Sequence, residues 1–119
     1  MGYPRRRPTQ LKRRAMYTVI RPDGSSDSNP PLSSLPGVLE ELFGADREHG
    51  DVALVHEDSG WSLSFHLDGR MVLEHLSEGH ERHMTNVTSK RALELWHRLS
   101  VGDLDTIFAE PWEPGYVSK

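Results

Sequence analysis

Residues 51–87, DVALVHEDSGWSLSFHLDGRMVLEHLSEGHERHMTNV, decide how this chain folds. Four short runs of mixed apolar and polar residues are separated by Glu57-Asp58-Ser59-Gly60, Asp68-Gly69 and Ser77-Glu78-Gly79-His80, all of them turn chemistry. The pattern predicts an antiparallel meander, and the Asp68-Gly69 turn sets its register. A strict two-residue turn would oppose Leu63 with Glu74 and Ser64 with Leu73, mixing core and solvent faces. A three-residue loop with Gly69 in a left-handed bulge instead opposes Phe65 with Met71, Leu63 with Leu73 and Trp61 with His75. The bulged register also sets His66 against Arg70 and Ser62 against Glu74. Carried back across Asp58-Ser59, the pairing brings Val52 and Leu54 beside Phe65 and Leu63, so one face is continuously apolar. The other face is mixed and polar.

An apolar sheet face needs helices, and the flanking sequence supplies them. On the N-terminal side, Tyr17-Thr18-Val19-Ile20 is a β-branched run ended by Arg21-Pro22-Asp23-Gly24, which reads as one more strand. Residues 22–33 are rich in Ser, Asp, Asn and Pro, and predict a flexible loop. Ser34 then reads as a helix cap with Pro36 in the first turn, and Leu35, Val38, Leu39, Leu42 and Phe43 recur at helical spacing up to Gly44. Beyond the meander, Thr88 or Ser89 caps a helix with Ala92, Leu95, Trp96 and Leu99 on one stripe. Gly102 stops it, Asp103 caps a further turn through Leu104, Ile107 and Phe108, and Pro111 prevents continuation. The expected fold class is α+β: a four-stranded antiparallel meander plus an N-terminal strand, with helices on one face, in the order β-α-β-β-β-β-α-α. Trp61 and Trp96 are expected in the core.

A chain of 119 residues with 35% apolar composition suits one domain. Residues 15–119 are read as that domain, and residues 1–14 as a basic, disordered arm. Arg5, Arg6, Arg7, Lys12, Arg13 and Arg14 lie in the arm, whereas residues 15–119 hold eight basic and eighteen acidic residues, a net charge of −10. Met16 stands where the apolar pattern begins and is read as an alternative start of translation. The acidic body argues against nucleic acid and for a basic protein partner. With no run of eighteen apolar residues and no apolar leader, no membrane association is expected, and a cytoplasmic location is. The absence of cysteine excludes disulfides, thiolate zinc sites and a cysteine nucleophile.

Three sets of residues carry chemistry. Five of the seven histidines, His56, His66, His75, His80 and His83, fall in the meander among Glu74, Glu78 and Glu81. Imidazole and carboxylate suit zinc, and His75, His80 and His83 are its candidate ligands, although alternation sends His66 and His75 to opposite faces. Glu74 with Glu57 or Asp58 forms the paired-carboxylate reading of a small hydrolase, while Ser62, Ser64 and His66 give no ordered triad. Trp112 and Tyr116 lie in a Pro-rich tail, where Trp112 either folds back over the last helix or forms an exposed pair with Tyr116 and an acidic rim.

Elimination leaves a non-catalytic binding module, with no cofactor, ahead of a small metal-binding or hydrolytic enzyme. The tryptophan-bearing hairpin Gly60-Trp61-Ser62-Leu63, the helix Leu93-Glu94-Leu95-Trp96 and the acidic α+β body from Met16 onward resemble the small immunity proteins of bacterial polymorphic toxin systems. The resemblance implies a stoichiometric inhibitor that masks a basic toxin by charge and shape. The expected interface is the polar sheet face with Ser62, Ser64, His66 and Glu74, neighbouring Glu57 and Asp58, and Trp112 with Tyr116. A homodimer hiding that face or an edge strand is compatible with either function.

Overall fold

The computed structural model describes residues 16–44 and 50–115. The basic arm and Tyr116 lie outside the described residues. The strands are β1 (Tyr17–Ile20), β2 (Ser26–Ser28), β3 (Asp51–His56), β4 (Trp61–His66), β5 (Met71–His75), β6 (Gly79–Met84) and β7 (Glu113–Pro114), and the helices are α1 (Leu35–Phe43), α2 (Ser89–Ser100) and α3 (Leu104–Phe108). The strands form one antiparallel sheet in the order β2-β1-β3-β4-β5-β6-β7. The α+β class and the meander stand as expected, but the sheet has two strands more than the sequence pattern predicts.

The bulged register is present. Phe65 pairs with Met71, Leu63 with Leu73 and Trp61 with His75, and β3 adds Val52 beside Phe65 and Leu54 beside Leu63. Gly69 adopts φ +89°, a conformation that an L side chain resists, and its N–H donates to the His66 carbonyl at 2.9 Å. Because alternate residues share a face, Val19, Leu54, Leu63 and Leu73 form one buried row across four strands, and Val52, Phe65, Met71 and Met84 form a second. Each large side chain in these rows stabilises the fold by about 1.5–3 kcal/mol.

The three described helices pack on this face. Leu35, Val38, Leu39 and Leu42 of α1, Ala92, Leu95, Trp96 and Leu99 of α2, and Ile107 of α3 join the strand residues in one core. Trp96 is 1% exposed, and its indole N–H donates to the Leu63 carbonyl at 2.8 Å, so a polar bond pins α2 to the middle of the sheet. Thr88 caps α2 by accepting from the Arg91 N–H at 3.1 Å. Asp103 caps α3 through Thr106, whose hydroxyl and backbone N–H hold that carboxyl below its usual pKa.

Several expectations are corrected. Residues 22–33 are not an irregular loop: they contain β2 and a 3-10 turn at Leu32–Ser34. Strand β1 dictates β2 by offering a free edge, and an Arg21–Asp27 ion pair at 2.6 Å and the Asn29 side chain, accepting from the Tyr17 N–H at 2.8 Å, hold it there. Ser34 makes no side-chain cap, because the 3-10 turn runs straight into α1 and leaves it in helical conformation. Phe43 is 57% exposed and lies off the apolar stripe. Trp61 is only partly buried, at the end of the sheet beneath Phe108. Among the described residues, no helix is long and apolar enough to cross a membrane.

Candidate functional site

The face opposite the helices is the candidate site. Strand alternation places two rows of residues on it. One runs Thr18, Val55, Ser62, Glu74, and the other runs Ile20, Ala53, Ser64, Val72, His83, Glu113. Asp51 and His66 are paired beyond the second row. Among the described residues no helix lies over this face, since every helix contributes to the core on the other side.

The floor of the face is made of small residues, and its margin is acidic. Asp51, Glu57, Glu74, Glu81 and Glu113 alternate onto it, and Asp58 and Asp68 stand in the turns at its two ends. Arg21 and Arg82 alternate to the helix side, where Arg21 pairs with Asp27 and Glu41 and Arg82 lies over the Phe108 ring at 5.9 Å. Arg70 is the cation that the described strands and their turns set on the acidic side.

Arg70 is committed to His66. Its Nη2 donates to His66 Nδ1 at 3.0 Å, and His66 Nε2 lies 3.1 Å from Ser64 Oγ. A guanidinium only donates, so Nδ1 accepts and the ring proton sits on Nε2, directed at the serine. Burial pushes the His66 pKa down, and the Arg70 charge lowers it further against the weaker pull of Asp51 and Asp68. The structure therefore brings Ser64 and His66 into contact, but in a tautomer that cannot take the serine's proton. A hydrolytic triad needs a carboxylate where Arg70 stands, because an imidazolium must form during the reaction.

The remaining predicted residues fall in different places. Glu57 and Asp58 are exposed in the β3–β4 turn, and Glu57 Oε2 accepts from the Thr18 hydroxyl at 2.6 Å. Ser62 is 8% exposed, more buried than a polar solvent face predicts. Glu74 shares a row with Ser62 and is engaged in an interaction of its own. Trp112 is partly buried, and its indole N–H donates to the Ile107 carbonyl at 2.7 Å. It folds back over the end of α3, and Tyr116, its expected partner, lies outside the described residues.

The three histidines proposed for zinc do not converge. His75 belongs to the helix side, edge-on to Trp61 with ring centroids 5.1 Å apart, and its Nδ1 accepts from the N–H groups of Ser77 at 3.3 Å and Glu78 at 3.1 Å. His83 is on the open face, where Nδ1 donates to the Gly115 carbonyl at 2.6 Å. His80 is exposed at the start of β6, 3.6 Å from Glu78. Among the described residues, no three His, Asp or Glu side chains group as metal ligands.

Sequence reasoning paired His66 with Arg70 but missed what the pairing does to the imidazole. It also missed Asp51, Val55, Val72, His83 and Glu113 as members of the face. Their signal was present: the same two-residue alternation, extended from the central hairpin to β3 and β6, places all of them except Glu113. A pocket of about 640 Å³ is lined by Tyr17, Pro30, Pro31, Leu32 and Val101, and neither Ser64 nor His66 lines it. No protein-family model matches the chain, and no curated protein or solved structure does so either.

Proposed function

We propose that the chain is a non-catalytic protein-binding module of the cytoplasm, whose helix-free sheet face receives a basic protein. The observation that carries this reading is the segregation of charge: acidic residues collect at the margin of the open face, while Arg21 and Arg82 point to the other side. Opposed charge steers association and rejects wrong partners even where it adds little net affinity. An immunity-type inhibitor covering a basic toxin is the kind of partnership that fits, as the resemblance of the hairpin and the α2 sequence suggests. The state of His66 supports a role in recognition over hydrolysis, since its serine-facing nitrogen already carries the proton.

The test is kinetic. A basic partner recovered with the intact chain as bait is measured against wild type and against the double variant Glu57→Lys/Asp58→Lys by surface plasmon resonance at several salt concentrations. The reading expects the association rate to fall about tenfold or more at low salt and the difference to shrink as salt rises. An unchanged on-rate with an unchanged salt slope places the interface elsewhere.

A further inference from the structure

We propose that the cleft between β6 and residues 108–114 binds a small carboxylic acid with an aromatic body, held through Arg82. The cleft lies on the helix side of the sheet edge, and the inference stands apart from the function proposed above.

Arg82 carries it. The other described arginines are engaged: Arg21 with Asp27 and Glu41, Arg70 with His66, Arg91 with Glu94 and Glu110, and Arg98 with Asp103. Arg82 has no carboxylate or hydrogen-bond partner among the described residues, and its guanidinium lies over the Phe108 ring, 5.9 Å from the centroid. In a body with eighteen acidic residues such an arginine is an exception. A contact with a ring face uses the charge but none of the five N–H donors, so the planar fork is left for a ligand.

The surroundings form a built cleft. It has a volume of about 290 Å³ and is lined by Arg82, Phe108, Glu110, Pro111, Trp112 and Pro114, which is room for one small ring compound. Its far wall is fixed at both ends. The Trp112 indole N–H donates to the Ile107 carbonyl at 2.7 Å, and the Gly115 N–H donates to the Glu81 carbonyl at 2.7 Å. Between these bonds the two prolines lock the backbone, so little ordering is left for a ligand to impose. Phe108 is 38% exposed and offers its ring to an aromatic body.

Charge selects the head group. Glu110 is the acid that lines the cleft, and its carboxylate is held by Arg91. Glu81 and Glu113 alternate to the opposite face, where Glu113 lies 3.7 Å from His83. Arg82 therefore meets a ligand with one uncompensated charge, which one carboxylate matches through two parallel N–H···O bonds. A dianion would carry a second negative charge into an acidic body.

Benzoate is the probe, titrated to about 20 mM into full-length 15N-labelled protein at constant ionic strength and followed by NMR. The proposal expects saturable shifts of the Trp112 indole and Arg82 Nε–H resonances with a Kd of about 1 mM, while the buried Trp96 indole stays in place. Arg82→Gln should weaken binding about tenfold or more, and Arg82→Lys, which keeps the charge but not the fork, by about threefold or more. Acetate and benzyl alcohol, each lacking one half of the probe, should bind wild type at least about tenfold more weakly than benzoate, and these arms need no variant to fold. Shifts that do not saturate, or an affinity unchanged in Arg82→Gln, overturn the site. Acetate or benzyl alcohol binding as tightly as benzoate, or phenyl phosphate binding more tightly, overturns the ligand class.

Discussion

Replacing Gly60 by alanine tests whether His75 is a structural pin or a group held ready for chemistry. Gly60 has φ +78°, and a Cβ built on it would lie 2.9 Å from His75 Nε2 and 3.1 Å from Cε1. The ring has little freedom to yield, since Nδ1 is held by two backbone N–H groups and the ring edge rests against Trp61. The left-handed conformation costs an alanine about 1 kcal/mol. Displacing the ring costs about 1 kcal/mol in the two long hydrogen bonds and about 0.5–1 kcal/mol in the aromatic contact. Gly60→Ala is therefore expected to destabilise the fold by about 3 kcal/mol, or roughly 12 °C in Tm for a domain of this size. In a His75→Ala background the clash is gone, and the same substitution should cost only the conformational part, about 1 kcal/mol. Urea unfolding followed by tryptophan fluorescence measures all four corners of the cycle. Equal cost in both backgrounds, within about 0.5 kcal/mol, refutes the pin. Zinc supplies an independent arm of the same experiment. A ligand role for His75 predicts zinc-dependent stabilisation of wild type that is lost in His75→Ala, about 2.7 kcal/mol at a hundredfold excess over Kd, whereas a pin predicts the same zinc response in both.

Trp96→Phe removes the bond to the Leu63 carbonyl and leaves a void of about 40 Å³; a loss of about 2–3 kcal/mol is expected in the same unfolding assay, and a loss below about 1 kcal/mol would contradict the polar pin of α2. The depressed pKa of His66 predicts an acid-sensitive fold. Above about pH 6.5 the imidazole is neutral in both states and costs nothing; as pH falls through that value, the unfolded chain takes a proton that the folded one resists, so stability drops until the folded pKa is also passed. His66→Gln keeps an acceptor for Arg70 and cannot titrate, so its stability should fall less than that of wild type between pH 7 and pH 5, about the range over which the histidine charges. Parallel pH profiles for the two proteins would exclude His66 as the source.

The sequence was most legible where one residue type admitted one geometry. Gly69 and the parity of Phe65, Leu63 and Trp61 allow one register, and it is the one observed. The stripe of Ala92, Leu95, Trp96 and Leu99 allows one helix face, and it is buried. The strands it concealed are those that form because a neighbour requires them. Ser26-Asp27-Ser28 has no strand pattern of its own and pairs because β1 presents an edge; Glu113-Pro114 pairs because Gly115 donates to the Glu81 carbonyl at 2.7 Å and accepts from His83. The candidate face was half legible. Alternation named Ser62, Ser64, His66 and Glu74, but the proton position on His66 depends on a bond from Arg70 that spacing alone does not disclose.

The ends of the sheet bear on how this protein meets other chains. Strand β2 is three polar residues followed by Asn29 and Pro30, and β7 is two residues with Pro111 before it and Pro114 within it. Short edges carrying proline present few free N–H and C=O groups in line, which disfavours dimers formed by extending the sheet. Association is directed instead to a face. Of the two, the helix side is already filled by the core, and on the open side Val55 and Val72 are buried while Ile20 is exposed. A partner on that side gains little from burying Val55 and Val72, which are already withdrawn from solvent. Recognition there rests first on charge, so it should be fast and salt-sensitive.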